Sequence, residues 1–182
     1  MRRLWAPALV AALAGCASGG RGGGDDLRVS AGDAAREAWT VARTWAEDPA
    51  LRYVEGEGVT WEGTVPSEGG TWRFIYGAPE RPEQLVVTVT PRTLERATRP
   101  PQSPPGFAVG DASLGGEWVD SRAVLAAVRA AGGEALRSGD GGAAISMLLV
   151  PLRPPQWVVR VVTEAGERRW RVNAETGEVL PS

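Results

Sequence analysis

With 182 residues, 43% hydrophobic and 23% charged, the chain carries enough apolar material for one domain or two small ones. Its 20 cations are all arginines and its formal net charge is −2. That near-neutral balance, without a basic cluster, argues against a nucleic-acid partner. With no histidine, no lysine and one cysteine, the chain cannot assemble Ser-His-Asp, Cys-His or Ser-Lys catalysis, a Schiff base, an internal disulfide or a multi-thiolate metal site. Only paired carboxylates are left for catalysis, and no motif points to such a pair. The expectation is therefore a non-enzymatic protein without cofactor, metal or catalytic residues.

The chain opens on Arg2 and Arg3, an apolar run from Leu4 to Leu13 broken at Pro7, and the small residues Ala14 and Gly15. This is the three-part layout of an export signal, and the run falls short of the roughly 20 residues a membrane-spanning helix needs. Leu13-Ala14-Gly15-Cys16 resembles the lipobox of bacterial lipoproteins. The resemblance implies removal of residues 1–15 and acylation of Cys16. Two or more acyl chains hold a protein stably on a lipid bilayer, where a single chain holds it only marginally. Ala17 after the cysteine, rather than Asp, implies by analogy an outer-membrane destination facing the periplasm. Residues 16–30 are rich in glycine and poor in apolar mass, the composition of a flexible tether.

A first α+β unit is expected over 31–97. Asp33 is a plausible N-cap for a helix from Ala34 to Glu47, with an apolar stripe of Ala38, Val41, Ala42 and Trp45. Asp48-Pro49 ends it. Short β-rich runs follow at Leu51–Val54, Gly58–Val65, Thr71–Tyr76 and Leu85–Thr90. The proline-rich stretch from Pro91 through TRPPQSPPG reads as an extended connector, set at 98–115 between the units. A second unit over 116–182 starts with a helix at Ser121–Ala131, capped by Asp120 or Ser121 and stopped at Gly132-Gly133. Strands at Ile145–Leu152, Trp157–Thr163 and Arg168–Asn173 follow. Asp33 and Asp120 head the helices and Trp72 and Trp157 open strands at similar offsets. The expected fold class is therefore α+β, two similar units, each one helix on a small antiparallel meander.

Residues 155–180, PQWVVRVVTEAGERRWRVNAETGEVL, resemble the end of a PepSY-type domain. The matching positions are Trp157, Val159, Val161, Gly166, Val172, Asn173, Ala174, Thr176, Gly177, Glu178 and Val179, with Asn173 where the family more often has Asp. The resemblance implies a compact unit with one helix on a curled antiparallel sheet, found in secreted and membrane-anchored proteins and in protease propeptides. No catalytic residues come with it. Duplication of such a unit is the fold expected here.

Seven tryptophans lie beyond the signal. Trp45, Trp72, Trp157 and Trp170 suit the helix–sheet interface. Trp61 and Trp118 fall outside the best core patterns and are the candidates for a glycan-stacking platform. Glu55, Glu57 and Glu62 fit a solvated strand face, and Arg168, Arg169 and Arg171 fit the outer side of a charged hairpin. The functional expectation is a lipid-anchored cell-envelope protein acting by protein–protein binding, of protease-inhibitory or regulatory type. A glycan- or peptidoglycan-binding module using Trp61 and Trp118 is the alternative. The implied partners are the bilayer, through acylated Cys16, and an unidentified envelope protein; the sequence leaves the oligomeric state open.

Overall fold

The computed structural model describes residues 27–137 and 142–181; the signal segment, the Leu13–Cys16 motif and most of the glycine-rich stretch lie outside them. In chain order the elements are β1 Arg28–Ser30, α1 Ala31–Trp45, β2 Ala50–Val59, β3 Thr64–Pro66, β4 Thr71–Gly77, β5 Gln84–Val89, β6 Leu94–Arg99, α2 Ser121–Val128, α3 Glu134–Arg137, β7 Ala144–Val150, β8 Gln156–Thr163, β9 Gly166–Asn173 and β10 Val179–Leu180. Between α2 and α3 the chain passes a kinked turn where Gly132 adopts φ +100°, a conformation that costs glycine little.

The expectation of two helix-on-meander units is overturned. The chain is mostly β: eight strands form one antiparallel sheet in the order β10-β9-β8-β7-β2-β4-β5-β6, and β1 pairs with β3 in a small second sheet. The junction is β2 against β7, in register from Val54↔Leu149 to Val59↔Ile145. One core runs beneath both helices, joining Ala34, Ala38 and Ala42 of α1 to Val124, Leu125 and Val128 of α2 through Val54, Phe74, Leu149 and Val159. The physical reason is that β2 and β7 each have a bare edge that must be paired, and each supplies the other's partner.

On the helix side, the centre of the sheet is filled by Trp72 and Trp157, packed edge-to-face with ring centroids 6.3 Å apart. Gly56 of β2 leaves room for them, since a Cβ there would fall inside the Trp72 ring. Each indole N–H donates to the carbonyl just before a helix cap, Trp72 to Val29 at 3.0 Å and Trp157 to Val119 at 2.9 Å. The same pair therefore packs the sheet and locates both helix N-termini.

Those N-termini abut. Ser30 and Asp120 are the N-caps, and the Asp120 carboxylate also accepts from Gly32 N–H across the junction at 2.9 Å. Ser121, fully buried, accepts from Ala31 N–H at 2.9 Å and donates to the Gly63 carbonyl at 2.6 Å. Two positive helix ends would repel, but the carboxylates of Asp120 and Asp33 lie between them. Burial pushes the Asp33 carboxyl up, yet bonds from Ser30, Arg36 and Arg122 outweigh it and hold the group below its ordinary range.

Candidate functional site

Both helices lie on one face of the sheet, so the strand residues of opposite parity form a second face. The chain from 100 to 114 crosses part of it. Tyr53, Ile75, Val109 and Val150 make a second buried cluster there, with Phe107, Leu148 and Val158 packed against it. The crossing segment is fastened at several points. Leu114 N–H donates to the Leu51 carbonyl at 2.7 Å, Gln102 N–H to Gln84 Oε1 at 3.0 Å and Tyr53 O–H to the Gln102 carbonyl at 3.2 Å. Arg99 donates to the Tyr53 hydroxyl and Arg52 to the Asp111 carbonyl. Without this segment the tyrosine and its apolar neighbours would face water.

Beyond its edge the second face stays open. Pro105 and Phe107 wall a groove of about 320 Å³ whose lining includes Glu55, Glu57, Ser146, Leu148, Val158, Arg160 and Arg169. Register places these side chains in rows across the strands. One row runs Glu57↔Ser146↔Arg160↔Arg169 from β2 through β7 and β8 to β9, and the next runs Glu55↔Leu148↔Val158↔Arg171. The groove thus has an apolar floor between an acidic end on β2 and a basic end on β8–β9.

By ion pairs within 4 Å, each end holds one charge more than its partners, and Arg99 adds a longer-range attraction on Glu55. Glu55 and Glu57 share one cation, with Arg73 at 3.9 and 3.1 Å. Arg160 and Arg169 share one anion, with Glu167 at 2.7 and 2.5 Å. Desolvation raises the Glu55 pKa, against the pull of Arg73 and Arg99 and with a further push from Glu57. Hydrogen bonds from Arg160 and Arg169 take Glu167 down to about 2. Of these two carboxylates only Glu55 lines the groove, and a carboxylate shifted by desolvation beside charge partners in a cleft marks a candidate site. Glu55 and Glu57 rise side by side from one strand and share Arg73, whereas acid–base cleavage needs two carboxyls flanking the scissile bond. The arrangement offers an acidic end, an apolar floor and a basic end within one groove.

Trp61 and Trp118 stand elsewhere. Trp61 occupies the turn after β2, where its carbonyl accepts from Arg129 at 2.8 Å. Trp118 packs edge-on to Trp157, 5.5 Å between centroids, just before α2. Both rest half-buried against the main core, and neither lines the groove. Among the described residues the tryptophan with the most open surface is Trp39 on α1, 44% exposed and 6.3 Å from the Tyr76 ring. Cys16 and Leu13–Gly15 fall outside the described residues, among which no helix is long and apolar enough to cross a membrane. Residues 155–180 supply β8, β9 and β10; the Asn173 side chain accepts from Glu175 N–H at 2.8 Å in the closing turn.

Glu55 and Glu57 read in the sequence as a solvated face. Their convergence with Arg160 and Arg169 was hidden because it depends on β2 pairing with β7. The parity of Tyr53, Glu55 and Glu57, and of Val158 and Arg160, was the available signal. Comparisons with protein-family models, curated proteins and solved structures returned no match.

Proposed function

We propose that this chain is a lipid-anchored protein of the cell envelope, held at the outer membrane facing the periplasm through acylated Cys16, and that it binds a protein segment on the open face of its sheet. The observation that carries the binding reading is the groove whose two ends each hold one charge more than their close ion pairs match, with opposite signs. A polypeptide carrying both charges completes both ends, and its apolar side chains rest on Leu148 and Val158.

Strands lie about 4.8 Å apart, so β2 is about 10 Å from β8 and about 14 Å from β9. An extended segment advances about 3.3 Å per residue, so the matching basic and acidic side chains stand three to four residues apart. Contact with an envelope protease is the most specific form of this reading, and it rests on the PepSY resemblance of residues 155–180.

The anchor is tested by labelling with a palmitate analogue: label on the wild type and none on Cys16→Ala supports it, and an unlabelled wild type refutes it. The binding face is tested by gentle crosslinking in the envelope followed by pull-down. A captured protein that is lost with Glu55→Gln/Glu57→Gln and with Arg160→Gln/Arg169→Gln supports the groove. Capture unaffected by either pair refutes it.

A further inference from the structure

The sheet ends on β6, whose outer edge pairs with no other strand among the described residues. Its Thr90–Thr93 turn closes with Thr90 N–H donating to the Thr93 carbonyl at 2.9 Å, and the register continues as Val89↔Leu94, Thr88↔Glu95 and Val87↔Arg96. Antiparallel pairs alternate between hydrogen-bonded and open, so the N–H and C=O groups of Leu94, Arg96 and Thr98 point outward. These residues are exposed, Leu94 at 40%.

On the helix side of this edge two hollows lie beside α1, one of about 340 Å³ at Leu27, Glu37, Arg92 and Leu94, and another of about 390 Å³ at Trp45, Arg81 and Arg96. Leu94 and Thr98 are about 13 Å apart along the strand, so alternate side chains of an added strand reach both hollows. The second hollow sets Arg81 and Arg96 against one glutamate, Glu83, whereas in the first Arg28 pairs with Glu62 at 3.4 Å and Arg92 faces Glu37. Arg96 makes no hydrogen bond or ion pair among the described residues, unlike Arg81, which stacks 5.7 Å over the Trp45 ring.

We infer that β6 is a strand-addition site that takes an extended segment of a partner protein, antiparallel, with an acidic side chain opposite Arg96 and an apolar one two residues later, opposite Leu94. Arg96, with Arg81 against the single Glu83, selects the acid, the exposed Leu27 and Leu94 select the apolar residue, and the outward amides supply sequence-independent affinity. Glu95, on the other face of the edge, favours a basic residue between the two. The charges on the edge also prevent indiscriminate pairing. A second copy of β6 fits less well: the register centred on Arg96 sets two arginines face to face, and the register that matches Arg99 with a neighbour's Glu95 finds Arg99 turned inward onto Tyr53.

The test uses the full ¹⁵N-labelled chain and two hexapeptides of one composition, acetyl-Thr-Thr-Glu-Lys-Val-Thr-amide and its charge-swapped form acetyl-Thr-Thr-Lys-Glu-Val-Thr-amide. With the first peptide at ten times its dissociation constant, exchange of the Leu94, Arg96 and Thr98 amides slows about tenfold, and with the swapped peptide it does not. Arg96→Glu reverses the preference. Thr98→Pro removes one outward N–H from an edge that tolerates proline and abolishes the effect at unchanged melting temperature. No slowing, equal slowing by both peptides, or protection that grows with protein concentration in the absence of peptide overturns the inference. The groove on the open face is untouched by these variants, so crosslinking there reports on the proposed function independently.

Discussion

Replacing Ser121 with alanine is expected to destabilise the whole molecule. The hydroxyl is fully buried and satisfies two backbone groups, Ala31 N–H and the Gly63 carbonyl. Ala31 begins a helix, so its N–H has no partner within α1, and the residue is itself fully buried. A buried polar group left without a partner costs about 1–3 kcal/mol, and two such groups bring the loss to about 3 kcal/mol. For a domain of this size that lowers the melting temperature by about 6–12 °C, at about 2–4 °C per kcal/mol. Arg122→Ala is the control: its ion pair with Asp33, 3.0 Å long, is largely exposed, so its loss is below about 1 kcal/mol. Urea unfolding followed by tryptophan fluorescence measures both. The reasoning is refuted if Ser121→Ala costs no more than Arg122→Ala. Two separated transitions in the variant would contradict the single core, because that core ties both helices to one sheet.

Three further outcomes follow from the same geometry. Gly56→Ala pushes a methyl into the Trp72 ring; overpacking of this kind costs about 1–3 kcal/mol, and near-ultraviolet circular dichroism should show the disturbed Trp72–Trp157 pair. Tyr53→Phe removes the hydroxyl that joins Arg99 to the Gln102 carbonyl, so proteolysis within 100–112 should accelerate while the helix amides keep their exchange protection. Glu167 titrates near 4.5 when unfolded and at about 2 when folded, so its folded pKa is depressed. Its stabilising contribution is full above pH 4.5 and disappears as the pH falls through about 2. The stability gap between wild type and Glu167→Gln should close across that window and narrow in high salt.

The sequence carried the local elements well and their assembly poorly. Helix α2 was legible from Asp120 and its Val124, Leu125 and Val128 stripe, and β4, β5, β7 and β8 from alternation and β-branched content. Helix α1 starts three residues earlier than Asp33 and Ala34 suggest, because the Ser30 side chain takes the capping bond from Asp33 N–H at 3.2 Å. Its buried stripe is four alanines, small enough to bring the helix close to the sheet, and Trp45 lies at its margin. Strand β2, Ala50–Val59, read as two runs, Leu51–Val54 and one starting at Gly58, with Glu55–Glu57 left between them. Gly56 makes room for an indole, and Gly58 forms a bulge at φ +62°. Strand β6 was lost inside the expected connector, since LERATR has no apolar alternation and its edge position needs none.

The larger error was topological. Pairing between β2 and β7 spans some 90 positions, and no local pattern encodes it. The two-unit expectation followed from reading each helix with its own meander. It failed because both meanders left a central edge bare, and pairing the two edges was the available way to satisfy it. The groove was invisible for the same reason: its acidic end comes from β2 and its basic end from β8 and β9.

Binding of a protein segment on the open face is tested most directly by a photo-crosslinking side chain placed at Ser146, in the middle of the groove row, and by the same group at Thr40 on the exposed side of α1. In intact envelopes a discrete protein adduct is expected from position 146 and none from 40, and it should disappear with Glu55→Gln/Glu57→Gln. The absence of an adduct from 146, or equal adducts from both positions, would contradict the account.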